Sequence, residues 1–238
     1  MRSFGLLVDL VYPPGCVVCG IATGRHNGLC PTCWSKMRFI ERPYCEVLGI
    51  PFSHDLGSGI LMLRRLPICR LSSGCGFHDE PVRQLVHGLK CRDRTDLAPM
   101  MAWWMLRASD GMVECCDAIL PIPLHRSRMF SRKFNQAAEL ARHLAQQSGK
   151  TLLPATLMRI KRTRPQVGLG AKAREENVGS VFAIAKARDN DAFGKRLILV
   201  DDVYTTGATV AAAAKVLRKA GAADIMVLTF ARALSETI

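Results

Sequence analysis

Long apolar runs are absent from this sequence, although 49% of its 238 residues are hydrophobic. A membrane-spanning helix needs about eighteen or more consecutive apolar residues. The apolar stretch at residues 4–12 is interrupted by Asp9 and ends at Pro13 and Pro14, and no small-residue cleavage site follows it. These features predict a folded globular protein without a membrane span. They also predict a short amphipathic helix over residues 4–12, and we expect the protein to be cytoplasmic.

A disulfide framework is missing too. The ten cysteines are spread unevenly through the chain, and a reducing cytosol would keep them as thiols. Six of them show no ligand spacing of their own and are interpreted as core or incidental residues: Cys45, Cys69, Cys75, Cys91, Cys115 and Cys116.

Aromatic residues are few, at 6%, and dispersed, so no ladder for stacking nucleic-acid bases is visible. We expect the tryptophans of the helical stretch at residues 80–110 to be core residues, the alternative being a stacking platform. Acidic residues are also scarce, at 20 against 33 lysines and arginines, which gives a net charge of +13. The excess is local: residues 121–175 carry twelve basic and two acidic side chains, a net +10. This pattern predicts an anionic partner, either a pyrophosphate substrate or a nucleic acid.

The remaining four cysteines form two Cys-x-x-Cys pairs. Cys16 and Cys19 make the first pair, and Cys30 and Cys33 follow after ten intervening residues. Two such knuckles supply four thiolates for a tetrahedral Zn²⁺ ion, and a site filled by four protein ligands is structural. The alternative is redox chemistry, for which a single dithiol would suffice. His26 lies in the intervening loop and is a further possible ligand.

Apolar strands alternate with amphipathic helices in the second half of the chain. Strands are predicted at 118–122, 157–161, 181–185, 197–200 and 225–231, and helices at 136–147 and 209–220. Asn135 is a candidate N-cap, and Gly149 and Gly221 are candidate helix ends. The alternation predicts an α/β fold with an open, mainly parallel sheet and helices on both faces. We expect two parts, an N-terminal cysteine module over residues 1–76 and the sheet domain over residues 77–238.

Residues 196–210, RLILVDDVYTTGATV, carry the most information. A buried strand ends in Asp201 and Asp202, and a hydroxyl-rich turn then leads into a helix. The uncapped N–H groups and the dipole of such a helix favour a bound phosphate. The acids are suited to accepting hydrogen bonds from sugar hydroxyls or to helping hold a divalent cation. The pattern therefore predicts a site for a ribose 5-phosphate group, the alternative being an ordinary buried strand followed by a threonine N-cap.

Two basic segments are candidates for the rest of the site. Residues 121–136 follow a predicted strand and carry Arg126, Arg128 and Arg132, which could hold a pyrophosphate or form a solvated loop. Residues 159–178 could close over a ligand as a lid or be a mobile surface loop.

This sequence resembles the type I phosphoribosyltransferases, whose motif is an apolar strand, two acids, two residues and a Thr-Thr-Gly loop. In particular it resembles the ComF family of competence and DNA-uptake proteins. The resemblance includes PPGCVVCG, LCPTC, VRQLVHGLKCRDRTDLAP, ILPIPLHRSRM, FNQAAELA and LVDDVYTTGAT. It implies a phosphoribosyltransferase-like domain joined to a small zinc-binding module.

The resemblance also implies roles for single residues. Asp201 and Asp202 would bind the ribose hydroxyls of phosphoribosyl pyrophosphate (PRPP), with Mg²⁺, and act in catalysis. Its 5-phosphate would lie against Thr205, Thr206, Gly207, Ala208 and Thr209. Many relatives carry a second set of cysteine knuckles, but here Cys45 lacks its partner at Leu48 and the later pair is missing near Met62 and Arg65. The zinc ligands are then Cys16, Cys19, Cys30 and Cys33. The glycine usual before FNQ is Lys133 here.

Two functions are therefore expected from the sequence. The first is transfer of a phosphoribosyl group from PRPP to an unidentified acceptor, in a protein associated with DNA uptake. The second is a non-catalytic accessory factor that binds single-stranded DNA or a nucleotide. In either case the zinc module could recruit a helicase or recombination partner. The sequence identifies neither the acceptor nor the oligomeric state.

Overall fold

The computed structural model describes residues 13–42, 44–45, 50–51, 70–125, 133–161 and 181–233. Within these ranges the helices are α1 (Pro31–Ser35), α2 (Val82–Cys91), α3 (Ala98–Ala108), α4 (Met112–Cys115), α5 (Gln136–Ser148) and α6 (Ala208–Lys219). The strands are β1 (Tyr44–Cys45), β2 (Ile50–Pro51), β3 (Arg70–Phe77), β4 (Ala118–Pro121), β5 (Thr151–Leu152), β6 (Leu157–Arg159), β7 (Phe182–Ile184), β8 (Arg196–Tyr204) and β9 (Asp224–Arg232). The helix predicted at residues 4–12 lies outside the described residues.

A five-stranded parallel sheet forms the centre of the chain, in the order β3-β9-β8-β4-β5. β8 and β9 pair along their whole length, from Arg196 opposite Asp224 to Tyr204 opposite Arg232. β4 pairs with the first half of β8 and stops where Pro121 lies opposite Val200. The prediction of an open parallel sheet is confirmed.

Helices cover both faces of this sheet, as predicted. Side chains alternate along the central strands: Ile198 and Val200 face one hydrophobic core, whereas Leu197 and Leu199 face the other. The first core is completed by α2, α3 and α5, and the second by α6 together with β6 and β7. Because both faces are buried, these strands read as continuous apolar runs.

The predicted ends of α5 are confirmed. Asn135 accepts a hydrogen bond at its side-chain oxygen from the Ala137 N–H at 3.1 Å, and Gly149 ends the helix in the left-handed region at φ 68°. This cap satisfies one of the N–H groups that have no partner inside the helix.

β6 and β7 stand apart from the main sheet. They pair antiparallel with each other, from Leu157 opposite Ile184 to Arg159 opposite Phe182. Periodicity alone does not distinguish such a two-stranded ribbon from a strand of the parallel sheet. Residues 162–180, which contain most of the predicted lid, lie outside the described residues.

The N-terminal module packs directly on the first strand of the sheet. Phe39 forms an antiparallel bridge with Gly76, and the Phe77 N–H donates to the Arg38 carbonyl at 3.1 Å. β3 is itself part of the large sheet, since Arg70 to Phe77 pair with β9. The expected boundary between residues 76 and 77 falls inside this strand, so we propose that the module ends before Arg70.

An aromatic cluster joins the module to the sheet domain. The centre of the Trp34 ring lies 5.3 Å from that of Phe39 and 5.6 Å from that of Trp104. The Trp104 ring stacks on Phe230 of β9, with 6.2 Å between the ring centres. The expectation that the tryptophans of residues 80–110 are core residues is confirmed for Trp104, which is buried, and is wrong for Trp103, which is 49% exposed. None of the helices in the described ranges has the length and apolarity needed to cross a bilayer.

Candidate functional site

β4 leaves the edge of β8 before β8 ends, at the carboxyl edge of the sheet, where the ligand crevice of an open α/β sheet lies. Within the described residues, the last β4 contact is the Ile122 N–H donating to the Val200 carbonyl at 2.9 Å, and β8 continues from Asp201 to Tyr204 paired with β9. The chain crosses from β4 through α5 to β5 on one side, and from β8 through α6 to β9 on the other. Such a reversal of strand order at the carboxyl ends is where open α/β sheets bind ligands.

The acidic pair lies at this point. Asp202 is only 7% exposed, and its Oδ2 accepts an ion-paired hydrogen bond from Lys90 Nζ of α2 at 2.9 Å. Asp201 is half-buried, and its Oδ1 accepts from the Asp202 backbone N–H at 2.9 Å. The two carboxylates are therefore held differently: one is neutralised by a cation, and the other is held by the backbone.

The environment of Asp201 favours its protonated form. Burial, followed by the neighbouring charge of Asp202, raises the pKa of Asp201 to about 7, while Lys90 and Arg159 act in the opposite direction. The nearby His78 has its pKa lowered, by burial first and then by the positive charges of Lys90 and Arg83. Near neutral pH, the Asp201 side chain is therefore partly a carboxylate, which accepts hydrogen bonds, and partly a carboxylic acid, which can also donate one.

Replacing Asp201 with asparagine is expected to remove a pH dependence of stability. The folded protein binds the Asp201 proton more tightly than the unfolded chain, whose aspartate pKa is about 3.9, so this group's contribution is greatest below that value. It is lost as the pH rises through about 7. The thermal unfolding midpoint of wild type should therefore fall relative to that of Asp201→Asn, by a few degrees between pH 5 and pH 8. A difference that stays constant over this range would contradict the assignment.

The turn after β8 combines exposed hydroxyl groups with the backbone amides at the start of α6. Thr205 and Thr206 are exposed, and Gly207 is the N-cap of α6 with φ 75°. Gly207 supplies no capping side chain, and the first helical bond runs from the Ala211 N–H to the Gly207 carbonyl at 2.8 Å. The N–H groups of the first turn of α6 are thus oriented for an anion.

Tyr204 and Arg232 support this turn from below. Tyr204 is 1% exposed, and the Arg232 guanidinium, itself 2% exposed, lies 4.5 Å from the centre of its ring. The His78 N–H donates to the Arg232 carbonyl at 2.7 Å, which joins the end of β9 to the segment after β3. The turn therefore rests on a rigid, buried base.

The predicted pyrophosphate side falls outside the described residues, since Arg126, Arg128 and Arg132 all lie in the segment 126–132. The residue that follows this segment, Lys133, has φ 60° and forms an ion pair with Asp93 at 2.6 Å. A positive φ is the conformation that glycine adopts most readily. The structure therefore holds Lys133 in a conformation that glycine would adopt without strain.

The four predicted metal ligands come together in the N-terminal module. The sulfur atoms of Cys16, Cys19, Cys30 and Cys33 all lie within 4.8 Å of one another, and three of the four residues are buried. Cys19 Sγ and Cys30 Sγ are 3.6 Å apart, close to the roughly 3.8 Å expected across a tetrahedral zinc site with Zn–S bonds of about 2.3 Å. This geometry fits Zn²⁺. Among the described residues, it is the one group of three or more possible metal-binding side chains of this kind.

The backbone of the two cysteine knuckles orients these thiols. Gly20, with φ 77°, closes the first knuckle, where the Gly20 N–H donates to the Cys16 carbonyl at 2.8 Å. In the second knuckle, Cys30 Sγ caps α1 by accepting from the Cys33 N–H at 3.4 Å. Burial opposes ionisation of Cys16, but surrounding N–H groups lower its pKa to about 6. Burial and the neighbouring thiols raise the pKa of Cys33 to about 12. Four thiolates so close together require a cation.

Lys90 was not singled out from the sequence as a site residue. It lies within the segment VRQLVHGLKCRDRTDLAP, but a lysine in the last turn of an amphipathic helix is common, because it interacts favourably with the helix dipole. Only the packing of α2 against the sheet brings it to Asp202. Tyr204 and Arg232 were missed for the same reason, since their burial depends on how β8 and β9 pair.

Comparisons with known proteins agree with this two-part organisation. A family profile described as "Double zinc ribbon domain" matches residues 7–70, and one described as "Phosphoribosyl transferase domain" matches residues 134–238. The first match ends where β3 begins. The predicted zinc module and phosphoribosyltransferase-like domain are thus both supported, and the four cysteines support a structural zinc ion.

Three curated relatives match over most of their length. DNA utilization protein YhgH of Salmonella typhimurium is 32% identical over 234 residues, which cover 94% of this chain and 100% of that protein. Competence protein F of Haemophilus influenzae is 30% identical, over 87% of this chain and 91% of that protein. Competence protein ComFC of Bacillus subtilis is 36% identical, over 86% of this chain and 84% of that protein.

Proposed function

The chain belongs to the ComF family of competence and DNA-utilisation proteins, and from that premise we propose that it binds PRPP with Mg²⁺ in the crevice beside β8 and transfers, or once transferred, its phosphoribosyl group. One observation carries this proposal. The end of β8 combines two carboxylates with an exposed threonine turn, and a buried tyrosine supports that turn's left-handed glycine. Acceptors for a diol thus lie beside amides for a phosphate.

In this proposal Asp201 and Asp202 are the catalytic aspartates, and they accept hydrogen bonds from the ribose hydroxyls. The 5-phosphate is held by the turn, with hydroxyl groups from Thr205, Thr206 and Thr209 and backbone N–H groups from Gly207 and Ala208. The basic segment that follows β4 in the sequence, with Arg126, Arg128 and Arg132, binds the pyrophosphate. Adjacent carboxylates and pyrophosphate oxygens are hard ligands that Mg²⁺ prefers.

The proposed reaction is a displacement at the anomeric carbon. The C1–O bond to pyrophosphate breaks, pyrophosphate leaves with the electron pair, and a lone pair of the acceptor forms the new bond to C1. Bound Mg²⁺ would stabilise charge on the leaving group. The protein's own contribution is to fix the ribose by its phosphate and by hydrogen bonds from its hydroxyls to the acidic pair, and to orient the leaving group.

Thr206→Ala and Asp202→Asn are expected to weaken PRPP binding at least tenfold. Thr206→Ala removes a hydroxyl group, and Asp202→Asn leaves one acceptor oxygen for both Lys90 and the ribose hydroxyl. Thr206 is exposed, and asparagine keeps the size of Asp202, so both variants should fold. Titration calorimetry with PRPP and Mg²⁺ measures the affinity, and thermal unfolding verifies the fold. Thr95→Ala, an exposed threonine between α2 and α3, serves as the matched control. Wild-type affinity in both site variants would reject the proposal.

The second candidate function is non-catalytic binding of single-stranded DNA or a nucleotide. The net +10 charge of residues 121–175 favours it, as do the names of the relatives, which refer to competence and DNA utilization. Backbone binding of DNA depends steeply on salt concentration. A helicase or recombination protein remains a proposed partner of the zinc module, in a cytoplasmic setting.

One preparation can separate these functions. Release of pyrophosphate from PRPP with candidate bases or amines reports turnover, and retention of single-stranded DNA across a salt series reports backbone binding. Turnover that is lost in Thr206→Ala supports the transferase. PRPP binding without turnover, together with salt-sensitive DNA retention, supports the accessory factor.

A further inference from the structure

Lys90 makes an enclosed ion pair with one member of the acidic pair. Its Nζ lies 2.9 Å from Asp202 Oδ2, and the two side chains are only 27% and 10% exposed. α2 is a rigid support for this contact, because Leu85 and Leu89 are fully buried in the core beneath it. The lysine therefore approaches the crevice from a fixed helix, on the side opposite to α6.

Stability alone does not account for such a pair. Removing two charges from water is costly, and a well-packed apolar pair of similar size is often as stable or more so. The exposed pair between Lys133 and Asp93, with side chains 77% and 46% exposed, is a contrasting case of the ordinary surface kind. A shielded ion pair at the carboxyl edge of a parallel sheet calls for a role in binding.

The two carboxylate oxygens of Asp202 have different surroundings. Lys90 engages Oδ2, and among the described residues no hydrogen bond to Oδ1 is observed. Because Oδ2 is held by Lys90, the direction of Oδ1 is also fixed. Hydrogen-bond partners of metal-ligating side chains orient those ligands in the same way.

We propose that Lys90 is a positioning residue, which holds Asp202 so that its Oδ1 faces a ribose hydroxyl. The inference rests on the proposed function, because it needs a phosphoribosyl ligand in the crevice. It assigns α2, which precedes the residues matched to the phosphoribosyltransferase profile, to the binding site.

Lys90→Met tests this role, since methionine keeps most of the apolar stem and removes the charge. We expect PRPP and ribose 5-phosphate to bind about 10- to 100-fold more weakly in calorimetric titrations. Inorganic phosphate, which has no diol, should bind within about twofold of wild type. Lys90→Arg should recover most of the PRPP affinity. Gln84→Met, an exposed position on the same helix, is the matched control and should leave all three ligands unaffected.

A double-mutant cycle separates positioning from a general effect on the fold. If Lys90 acts through Asp202, Lys90→Met should weaken PRPP binding by less than about twofold in an Asp202→Asn background. Lys90→Gln retains a donor for Oδ2 and should fold even if Lys90→Met does not. It lacks the charge, so we expect it to bind PRPP at least about fivefold more weakly than wild type.

The outcomes are distinguishable. Wild-type protein that binds no PRPP overturns the proposed function and this inference with it. Wild-type binding that Asp202→Asn weakens but Lys90→Met and Lys90→Gln leave unchanged overturns the inference alone. Equal losses for PRPP and inorganic phosphate would also overturn it, because they indicate a structural role. Selective loss for the two ribose ligands supports it.

Discussion

Gly207→Ala is expected to destabilise the protein by about 2–5 kcal/mol and to disrupt the proposed phosphate turn. A Cβ at this position would lie 2.1 Å from the Tyr204 hydroxyl oxygen and 2.7 Å from its Cζ, closer than real Cβ contacts. The residue also has φ 75°, which L-amino acids adopt at a cost of about 1–2 kcal/mol. Neither strain is relieved easily, because Tyr204 is buried and packs against Arg232.

Gly194→Ala is the matched control for this prediction. Gly194 has φ 68°, but nothing lies within 4 Å of its added Cβ, so alanine there meets the backbone penalty alone. In a chain of this size each kcal/mol lowers the unfolding midpoint by about 2–4 °C. We expect a loss of roughly 10 °C for Gly207→Ala, and less than half of that for Gly194→Ala. Equal midpoints for the two variants would show that Tyr204 yields and does not support the turn.

Loss of zinc is expected to unfold the N-terminal module. The four thiols lie within 4.8 Å of one another, and residues 13–42 contain one five-residue helix and few other buried side chains. Apparent binding energies of structural zinc sites reach about 10–16 kcal/mol in zinc-finger peptides. Cys33→Ser, or treatment with a strong chelator, should therefore release one zinc ion per chain. It should also abolish the regular structure of this segment.

Trp34 reports this transition, because its ring packs against Phe39 and Trp104. We expect its fluorescence to shift to the red when zinc leaves, while the parallel sheet keeps its far-ultraviolet circular dichroism. Cys91→Ser, an exposed cysteine outside the cluster, should retain zinc and the wild-type spectrum. Full zinc content and an unchanged unfolding midpoint in Cys33→Ser would contradict a structural site built from these four residues.

Local signals in the sequence predicted much of the fold correctly. The apolar run from Leu197 to Val200 predicted a central buried strand, and Asn135 and Gly149 predicted the two ends of α5. The two Cys-x-x-Cys pairs predicted a cluster that the structure brings together. These features depend on short-range chemistry, such as capping, apolar periodicity and metal-ligand spacing, which is visible in a few neighbouring residues.

Long-range features could not be predicted in this way. Lys90 lies more than a hundred residues before Asp202, and no local pattern pairs them. The burial of Tyr204 beneath Gly207 depends on the register of β8 against β9. Similarly, the separation of β6 and β7 from the main sheet depends on partners that periodicity does not specify. The location of the acidic pair and the threonine turn at one edge was predicted, and their ligand remains a proposal.

The central claim is that the end of β8 and the start of α6 bind a phosphoribosyl ligand. It is tested most directly by following the backbone amide resonances of isotope-labelled protein during titration with PRPP and Mg²⁺. We expect saturable shifts that are largest for Thr205 to Thr209, with smaller ones at Asp201 and Asp202, and no comparable change when magnesium pyrophosphate is added alone. Amides of Thr205 to Thr209 that stay unmoved at saturating PRPP would contradict the account.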